Sequence, residues 1–519
     1  MTRRFRGDDC LRSPAHESRA FAPAGEPAAG FTPFADFPKI ATMRLVLPGS
    51  LSLFMLCIGT STSGAELHLG AATVDITPDR PVALSGQRHV RISKKPATPL
   101  QVSALALESR EGDRVLDQAL IVSCDLVAIR QGILAQAREK LAPRLPGFPV
   151  EKLFLSATHT HTAPVMVEGR YELPADILQP AEFADFLTTR IAEAAETAWK
   201  SRAPGKVAWG QSQAVLAQNR RPFYSDGTAV MYGKVDKPEF RGIEGYEDHS
   251  VDVLYFWDRD DRLVATVINV PCPAQEVGGT SSIHADFWDP TRRSLREKHG
   301  ENLHILAWTG AAGDVTSRPM INTASDARMR KLRGDLSRLD ELASRIVRAW
   351  EEAYEGAKLD RREDVVLRHS VRTIDLPYRL VTDSERDECA KAAAQFKDKP
   401  GEKWNWRWNQ GVVDRYNAQK AGTQEPYRME LHALRLGDVA IGTNEFELYT
   451  DFGIQMKARS PAIQTFLVQL AGPGTYLPSE RARSLGGYGA VIQSSQVGPE
   501  GGQVLVEETV SAWKDLWKD

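Results

Sequence analysis

The sequence of 519 residues lacks features that would assign it to a specialised class of protein. No internal apolar run approaches the roughly 20 residues that a helix needs to cross a bilayer, which predicts no stable membrane span. The formal net charge of −3 leaves no basic surplus of the kind that nucleic-acid-binding proteins carry, so no nucleic-acid partner is expected. A hydrophobic fraction of 42% is sufficient for a large folded core.

The first 65 residues predict a leader that is separate from the fold. Residues 1–42 are rich in Arg, Pro, Ala and Gly without sustained periodicity, which favours a disordered or mis-called extension with translation starting at Met43. Residues 43–65 then show the basic, apolar and small-residue regions of a secretory signal peptide, with cleavage after Ala65. We therefore expect an exported protein, either periplasmic or extracellular.

Residues 66–519 are predicted to form a single α/β domain, because strand and helix patterns alternate along them without a repeat or an interdomain linker. Only Cys124, Cys272 and Cys389 lie in this part, an odd and sparse set that gives no disulfide framework. The predicted strands cover residues 71–76, 102–107, 119–125, 150–155, 251–257, 263–270, 304–308, 429–436, 439–443 and 464–470. The predicted helices cover 133–145, 181–201, 288–298, 332–356 and 503–517, and a hydrophilic stretch at 396–425 is interpreted as a surface helix or a substrate lid.

Two histidines one residue apart, His159 and His161, follow the apolar run of residues 150–155 where Thr-Ala-Pro must end the strand. In an extended segment residues i and i+2 point to the same side, so two imidazoles can converge on one point. Such a pair can bring together a metal ligand and a proton-transfer group. The alternative interpretation is a pair that only hydrogen-bonds at the end of a strand.

Polar side chains follow two other predicted strands. Asp314 and Thr316 lie in Gly-Asp-Val-Thr after the strand at 304–308, where small residues permit a tight turn and the side chains offer an acid and a nucleophile. In the alternative interpretation Asp314 only caps this turn. Asn444-Glu445-Phe446-Glu447 follows the strand at 439–443, and a carboxylate there can complete a metal site, although an exposed glutamate is the default.

The order of these segments resembles the N-terminal catalytic domain of the neutral/alkaline (non-lysosomal) ceramidase family. Thr158-His159-Thr-His161-Thr-Ala-Pro164 is similar to the family's Thr-His-Thr-His-Ser-Gly-Pro, and Asn219-Arg220-Arg-Pro222 is similar to its Asn-Arg-Ser-Pro. The resemblance implies mixed β-sheets flanked by helices. It also implies that His159 binds zinc, that His161 assists at the scissile group and that Arg220 faces the substrate.

Three further positions take their expected roles from the same resemblance. Glu447, with Gly453 six residues later, matches the zinc-binding glutamate of the family. Tyr476 and Tyr488 keep the family's twelve-residue separation, which implies that Tyr476 lies beside the metal and Tyr488 beside the substrate. The resemblance therefore implies Zn²⁺ as the cofactor.

One departure from the family pattern concerns the metal. Pro273 stands where the second zinc histidine is expected, and a proline cannot bind metal. Four replacement ligands are available, namely Cys272, Gln275, Glu276 and His284. A thiolate or an imidazole would suit zinc, whereas Gln or Glu would suit Ca²⁺ or Mg²⁺.

A second departure concerns the nucleophile. Thr316 occupies the position of the family's serine, in Gly313-Asp314-Val-Thr316-Ser317. We expect either a metal-bound hydroxide or Thr316 to attack, with His161 managing the proton and with the metal and Tyr476 stabilising the oxyanion. The family's usual C-terminal β-sandwich has no counterpart before Asp519, so long-chain ceramide is only one of the expected substrates.

These observations predict an exported, metal-dependent hydrolase that cleaves a linear amide bond, or alternatively an ester, in a lipid-like or small-molecule substrate. The competing hypothesis is a catalytically degraded relative that kept the fold and binds a lipid or a carbohydrate. Metal content and turnover separate the two hypotheses, because only the hydrolase requires both.

Overall fold

The computed structural model of the chain describes residues 65–518, so the predicted extension at 1–42 and all but the last residue of the predicted signal peptide at 43–65 lie outside the described part. The described residues form a mixed α/β fold in which a large mixed sheet is flanked by helices, which confirms the predicted fold class. None of the helices between residues 65 and 518 combines the length and hydropathy that crossing a membrane requires.

The strands of the described part follow one another along the whole of its length. In chain order they are β1 (Glu66–Asp75), β2 (Val82–Leu84), β3 (Arg91–Ser93), β4 (Gln101–Glu111), β5 (Arg114–Cys124), β6 (Leu153–Ala157), β7 (Ala203–Gln213), β8 (Gln218–Asn219), β9 (Pro222–Tyr224), β10 (Phe240–Ile243), β11 (Ser250–Asp258), β12 (Leu263–Val270), β13 (His304–Thr309), β14 (Val315–Thr316), β15 (Leu367–Leu376), β16 (Tyr427–Leu436), β17 (Val439–Thr443), β18 (Glu447–Leu448), β19 (Gln464–Val468) and β20 (Tyr476–Leu477).

The helices lie between groups of these strands and at the end of the chain. In chain order they are α1 (Ile133–Leu141), α2 (Pro180–Lys200), α3 (Trp288–His299), α4 (Thr323–Leu332), α5 (Arg338–Ala357), α6 (Asp383–Phe396), α7 (Lys403–Ala421), α8 (Thr450–Arg459), α9 (Glu480–Leu485) and α10 (Pro499–Leu516).

The largest sheet has eight strands in the order β13-β12-β11-β7-β1-β4-β5-β6. Its two edge pairs, β12–β13 and β5–β6, are parallel, and its other pairs are antiparallel. The sheet curls, so that the Ser123 hydroxyl in β5 reaches β13 and donates to the Ala307 carbonyl at 2.6 Å. This curl brings the ends of β6 and β13 together, although they are the two edge strands.

A second sheet, of order β15-β16-β17-β19, packs against one face of the large sheet. Strand β1 shows the alternation that this arrangement requires, because side chains of a strand point alternately to its two faces. Leu67 and Leu69 pack with Leu434 and Ile441 of the second sheet, whereas Ala72 packs with the helices on the other face. Helices α1, α2, α3 and α5 cover the outer face of the large sheet, and α8 and α10 cover the second sheet.

Two elements begin several residues later in the structure than predicted. The predicted strand at 150–155 begins only at Leu153, because Lys152 N donates to the Pro149 carbonyl at 2.8 Å and closes a 3₁₀ turn. The predicted helix at 332–356 begins only at Arg338, as α5, since α4 ends at Leu332 and the φ of 92° at Gly334 and of 58° at Asp335 separate the two helices. Positive φ at successive residues cannot continue a right-handed helix.

The hydrophilic stretch at 396–425 contains α7, which packs against α6. Trp404 and Trp408 lie four residues apart on α7 and therefore share one face of it. Their rings stack with centroids 5.3 Å apart, and both line a cavity that also contains Tyr488. This stretch therefore contributes to a pocket in addition to covering the surface.

Candidate active site

Loops from both sheets meet at one place. The loops after β6 and β13 leave the large sheet, and the loops after β17 and β19 leave the second sheet. Gln469 joins them, because its backbone N–H donates to the Thr309 carbonyl at 3.0 Å. Its buried side-chain oxygen accepts from the amides of Ala312, at 3.1 Å, and Leu448, at 3.0 Å. The segments that follow these four strands carry six of the sequence-predicted site residues, namely His159, His161, Asp314, Thr316, Glu447 and Tyr476.

His159 lies directly after β6 and is oriented by the backbone around it. Its Nδ1 is 2.5 Å from the Val127 carbonyl, so this nitrogen carries the proton and Nε2 points at Glu447, 3.1 Å from Oε2. Its φ of 68° departs from the extended conformation that we expected for the pair. As a result the His159 and His161 rings are nearly perpendicular, at 82°, and face different partners.

Glu447 and Tyr476 are held side by side by the short parallel pair of β18 and β20. The Tyr476 hydroxyl lies near the Glu447 carboxylate, as their mutual effect on each other's pKa requires. Burial acts to raise the pKa of Glu447, but His159 and Arg220 outweigh it and hold that pKa below its ordinary value. Burial and the Glu447 carboxylate raise the pKa of Tyr476 well above its ordinary value, so Tyr476 remains a neutral donor.

Arg220 is buried beneath this pair. Its guanidinium donates to the Tyr232 hydroxyl and to the Gly313 carbonyl, both at 2.9 Å, and to the Tyr476 hydroxyl at 3.4 Å. Burial opposes its charge, but Tyr232, Tyr476 and Glu447 raise the pKa of Arg220 above its usual value. The site therefore contains a permanent positive charge in contact with Tyr476.

His161 faces Gln275, whose side-chain amide donates to the imidazole Nε2 at 2.9 Å. Since an amide nitrogen can only donate, this Nε2 is the acceptor and the proton lies on Nδ1. Burial, followed by the nearby His159, Arg220 and Arg91, holds the pKa of His161 well below its ordinary value. The ring is consequently a neutral imidazole with a lone pair at Nε2.

Two glycines make room for the His161 side chain. A Cβ at Gly86 would lie 2.4 Å from the His161 Cγ, and one at Gly278 would lie 3.0 Å from the His161 Cβ. Gly86 also has a φ of 93°, which side-chain-bearing residues rarely adopt. The imidazole thus sits in a slot that only glycine can form.

Thr316 is buried in β14, beside Arg220 and its partner Tyr232. Its Oγ1 accepts from the Tyr232 hydroxyl at 3.4 Å and from the Arg318 amide at 3.3 Å. Between residues 65 and 518 its hydroxyl has no hydrogen bond to His161, whose Nε2 is occupied by Gln275. The structure therefore places the predicted nucleophile, Thr316, and the predicted base, His161, where the loops of the two sheets meet, but the two side chains are not in direct contact.

Asp314 supports the site from behind. Its Oδ1 accepts from the Thr450 amide at 2.9 Å and hydroxyl at 2.8 Å, and its Oδ2 accepts from Asn219 at 2.8 Å. Both carboxylate oxygens are therefore used to cap α8 and to fix the residue that precedes Arg220. Asp314 thus holds the start of α8 and Asn219 in addition to its own turn, and its direct catalytic role stays a prediction.

Cys272 and His284, two of the four candidate replacement ligands, contact other partners. The Cys272 thiol donates to the Leu216 carbonyl at 3.7 Å, and burial raises its pKa well above the ordinary value, which disfavours the ligating thiolate. His284 Nδ1 accepts from the Asp286 amide at 2.9 Å. Within the described range, no three His, Cys, Asp or Glu side chains are grouped so that they could hold a metal.

His159, Glu447 and Tyr476 nevertheless form a donor set of one nitrogen and two oxygens. Two ligands bound tetrahedrally to zinc at about 2 Å lie about 3.3 Å apart. The separation of 3.1 Å between His159 Nε2 and Glu447 Oε2 is close to this value. The Val127 carbonyl also supplies the orienting hydrogen bond typical of a ligating histidine, so these residues fit a zinc ion.

A cavity of about 450 Å³ opens beside this donor set. Its wall includes Glu447, Tyr476, Tyr488, Trp404 and Trp408. The Arg88 guanidinium lies over three of these rings, 4.7 Å from the Trp404 centroid, 4.9 Å from that of Trp408 and 4.8 Å from that of Tyr488. Tyr488, the predicted substrate-side tyrosine, thus lines the space in which a substrate would fit.

Sequence reasoning missed the supporting roles of Tyr232 and Gln469. Neither residue stands in a recognisable motif, and each acts through contacts between loops that are far apart in the chain. The sequence did indicate that Gln275 lies near the site, because it was one of the four candidate replacement ligands. In the structure it contacts His161 and not His159.

Comparison with known proteins supports the fold. No family model and no curated protein matches the chain. Among solved structures, neutral ceramidase from Pseudomonas aeruginosa aligns with a TM-score of 0.63 and 16% sequence identity, over 88% of this chain and 76% of that chain. A structure of a ceramidase complexed with C2 aligns with a TM-score of 0.60 and 13% identity, over 87% of this chain and 76% of that chain. These matches show that the chain has the neutral ceramidase fold.

Proposed function

We propose that this protein, whose fold is that of neutral ceramidase, is a metal-dependent hydrolase that cleaves a linear amide bond in an N-acylated small-molecule or lipid-like substrate. The observation that carries the proposal is the cluster of His159, Glu447, Tyr476 and Arg220 at the wall of the cavity. The two structural neighbours are ceramidases, so ceramide is one candidate substrate, and an ester is the alternative to an amide.

His159, Glu447 and Tyr476 would hold the ion, which would act as a Lewis acid toward the substrate carbonyl. Tyr476 lines the cavity, where its hydroxyl would stabilise the oxygen that becomes negative when the carbonyl is attacked. Arg220, fixed by the Gly313 carbonyl, places a positive charge behind that phenol and strengthens it as a donor.

The His161 Nε2 lone pair takes the proton of the attacking hydroxyl once the Gln275 amide has yielded its hydrogen bond. The lowered pKa of His161 favours return of that proton to the leaving amine. The attacking hydroxyl belongs either to water or to Thr316. Turnover that persists in Thr316→Ala would exclude Thr316 as the nucleophile, whereas complete loss together with retention in Thr316→Ser would support it.

Metal analysis and turnover test the proposal together. The purified protein should bind about one equivalent of zinc, and His159→Ala should lose it, because a three-ligand site holds one ion. His68→Ala is the control, since His68 pairs with Glu66 on β1, and should keep the metal. A folded wild-type protein that binds no metal under any condition would refute the proposed mechanism.

The second candidate function is a binding protein that retained the fold. The observations that favour it are Pro273 in place of the second histidine and the lack of contact between Thr316 and His161 in the described structure. A protein of this kind would bind N-acyl compounds but release them intact. Measurement of both binding and turnover on short N-acyl amides, esters and a fluorogenic ceramide decides between the two.

We also propose that the protein is exported, on the strength of the signal-like residues 43–65. Expression of the full chain in a bacterial host should yield a processed protein in the periplasm or medium that begins at Glu66. Recovery of only unprocessed cytoplasmic protein would contradict export.

A further inference from the structure

The cavity beside Glu447 has an unusual charge. Four of its lining residues are arginines, at positions 130, 170, 407 and 415, against two carboxylates, Glu168 and Glu447. Within residues 65–518 none of these guanidinium groups forms an ion pair with a carboxylate. The fold pairs other buried arginines closely, as with Arg292 and Asp125 at 2.6 Å. The cavity therefore carries positive charge that the described protein does not neutralise.

Of the four arginines, Arg130 is the one with a fully buried nitrogen, Nε, that has no hydrogen-bonding partner within the described residues. The residue is half-buried, and the rest of its guanidinium has no such partner in that part of the chain either. Burial, and then the neighbouring Arg170, lower its pKa to about 10. A buried cation without a partner is unfavourable unless a ligand supplies the missing charge. Arg130 and Glu447 line the same cavity, so the missing anion would lie close to the proposed reaction centre.

Two of the other three arginines, Arg170 and Arg415, are oriented by neutral groups. Arg170 Nε donates to the Tyr171 hydroxyl at 3.1 Å. Arg415 donates to the Ile492 carbonyl at 2.6 Å and to the Ser495 carbonyl at 3.3 Å. Such bonds fix the direction of a guanidinium and leave its charge uncompensated. An acyl chain alone offers these groups nothing to bind.

We propose that the substrate of this site carries an oxyanion, which Arg130 and the arginines beside it bind while the amide lies at Glu447 and Tyr476. This inference rests on the proposed hydrolase function and specifies its substrate class. A guanidinium binds carboxylate, phosphate and sulfate oxygens in the same paired geometry, so the shared feature is the oxyanion. The stacked rings of Trp404, Trp408 and Tyr488 would contact the apolar remainder.

Three matched substrate pairs locate the anion. In the first pair, hexanoylglycine is compared with hexanoylglycinamide, so that the carboxylate lies on the amine side of the scissile bond. In the second pair, the glutaryl and pentanoyl amides of the same amine are compared, so that the carboxylate lies on the acyl side. N-hexanoyl phosphoethanolamine against N-hexanoyl ethanolamine supplies a phosphate. In at least one pair the anionic member should have a kcat/KM higher by roughly 10- to 100-fold, the worth of a charged hydrogen-bonded contact.

Arg130→Gln should reduce this anionic-to-neutral ratio to near one, and Arg130→Lys should retain part of it because the charge remains. Arg293→Gln is the matched control, since Arg293 is exposed and pairs with Asp289 on α3, and it should leave the ratio unchanged. Thermal unfolding of each variant confirms that the fold is intact. If Arg130→Gln does not fold, Arg415→Gln is measured in its place, with the same expected fall in the ratio.

Calorimetric binding of the same compounds separates this inference from the proposed hydrolysis. Preferential binding of anionic members that Arg130→Gln abolishes would support the anion site even if nothing is cleaved, in which case the hydrolase proposal fails alone. Amide cleavage with no preference for the anionic member in any of the three pairs would overturn the anion site and leave the hydrolase proposal standing.

Discussion

Replacement of Gln469 by leucine should loosen the junction between the two sheets without removing any proposed ligand. Leucine has a similar size but no acceptor, so the buried amides of Ala312 and Leu448 would lose their partner. Each buried N–H left unsatisfied costs about 1–3 kcal/mol, which gives about 2–6 kcal/mol for two. The Gln469 Nε2 has no partner in the described structure, so its removal offsets about 1–2 kcal/mol. The net loss of unfolding free energy should be about 2–3 kcal/mol, within bounds of about 0–5 kcal/mol.

Equilibrium urea unfolding measures this loss, and hydrogen exchange at the Ala312 and Leu448 amides localises it. Gln503→Leu, at an exposed position of α10, should change stability by less than about 0.5 kcal/mol. Gln469→Glu keeps an acceptor and should protect both amides better than leucine does. Unchanged stability together with unchanged exchange of the two amides in Gln469→Leu would refute the role assigned to this side chain.

The remaining predictions concern the His161 slot, acid stability and the stacked arginine. Gly86→Ala should lower turnover at least about tenfold and stability by about 1–3 kcal/mol, because its Cβ would lie 2.4 Å from the His161 Cγ. Gly112→Ala, also at positive φ but with open space around its Cβ, separates backbone strain from this collision; an equal loss of turnover there would contradict the steric explanation. Burial acts to raise the pKa of Glu430, but His432 and Arg138 bring it to about 2, so this carboxylate stabilises the fold above pH 4.5 and loses its contribution as the pH falls toward 2. The free energy of unfolding of the wild type, measured with urea, should therefore fall by about 1–3 kcal/mol more between pH 6 and pH 3 than that of Glu430→Gln. If the two proteins lose stability in parallel over this range, Glu430 is not a source of the acid sensitivity. Arg88→Ala should alter tryptophan fluorescence while changing stability by less than about 1 kcal/mol, and an unchanged spectrum would show that Arg88 does not stack on Trp404 and Trp408 in solution.

The fold was predictable where burial produces a regular pattern. Strands β11 and β12 were recognisable as a hairpin because apolar runs flank a turn of charged residues, and the structure pairs Leu254 with Val267 as such a hairpin requires. The helix α2 was recognisable from its apolar face, and it differs from the predicted bounds by one residue at each end. Local rules sufficed for these elements because each buries one face of a regular structure.

The site was predictable in its residues but not in its geometry. His159, Glu447 and Tyr476 do come together, as the resemblance implied. The positive φ of His159 could not be read from the sequence, because no local rule favours a left-handed histidine after a strand. The same limit applies to Trp404 and Trp408, whose contact with Tyr488 depends on how α7 packs rather than on its own pattern.

The division of the site between two sheets has a consequence for folding. His159 and Thr316 follow strands of the large sheet, whereas Glu447 and Tyr476 follow strands of the second sheet. The cluster can therefore exist only after the sheets have docked, and a ligand or ion that binds it stabilises the docked state by mass action. Occupancy of the cluster would thus report late assembly of the protein, after each sheet has acquired its own secondary structure.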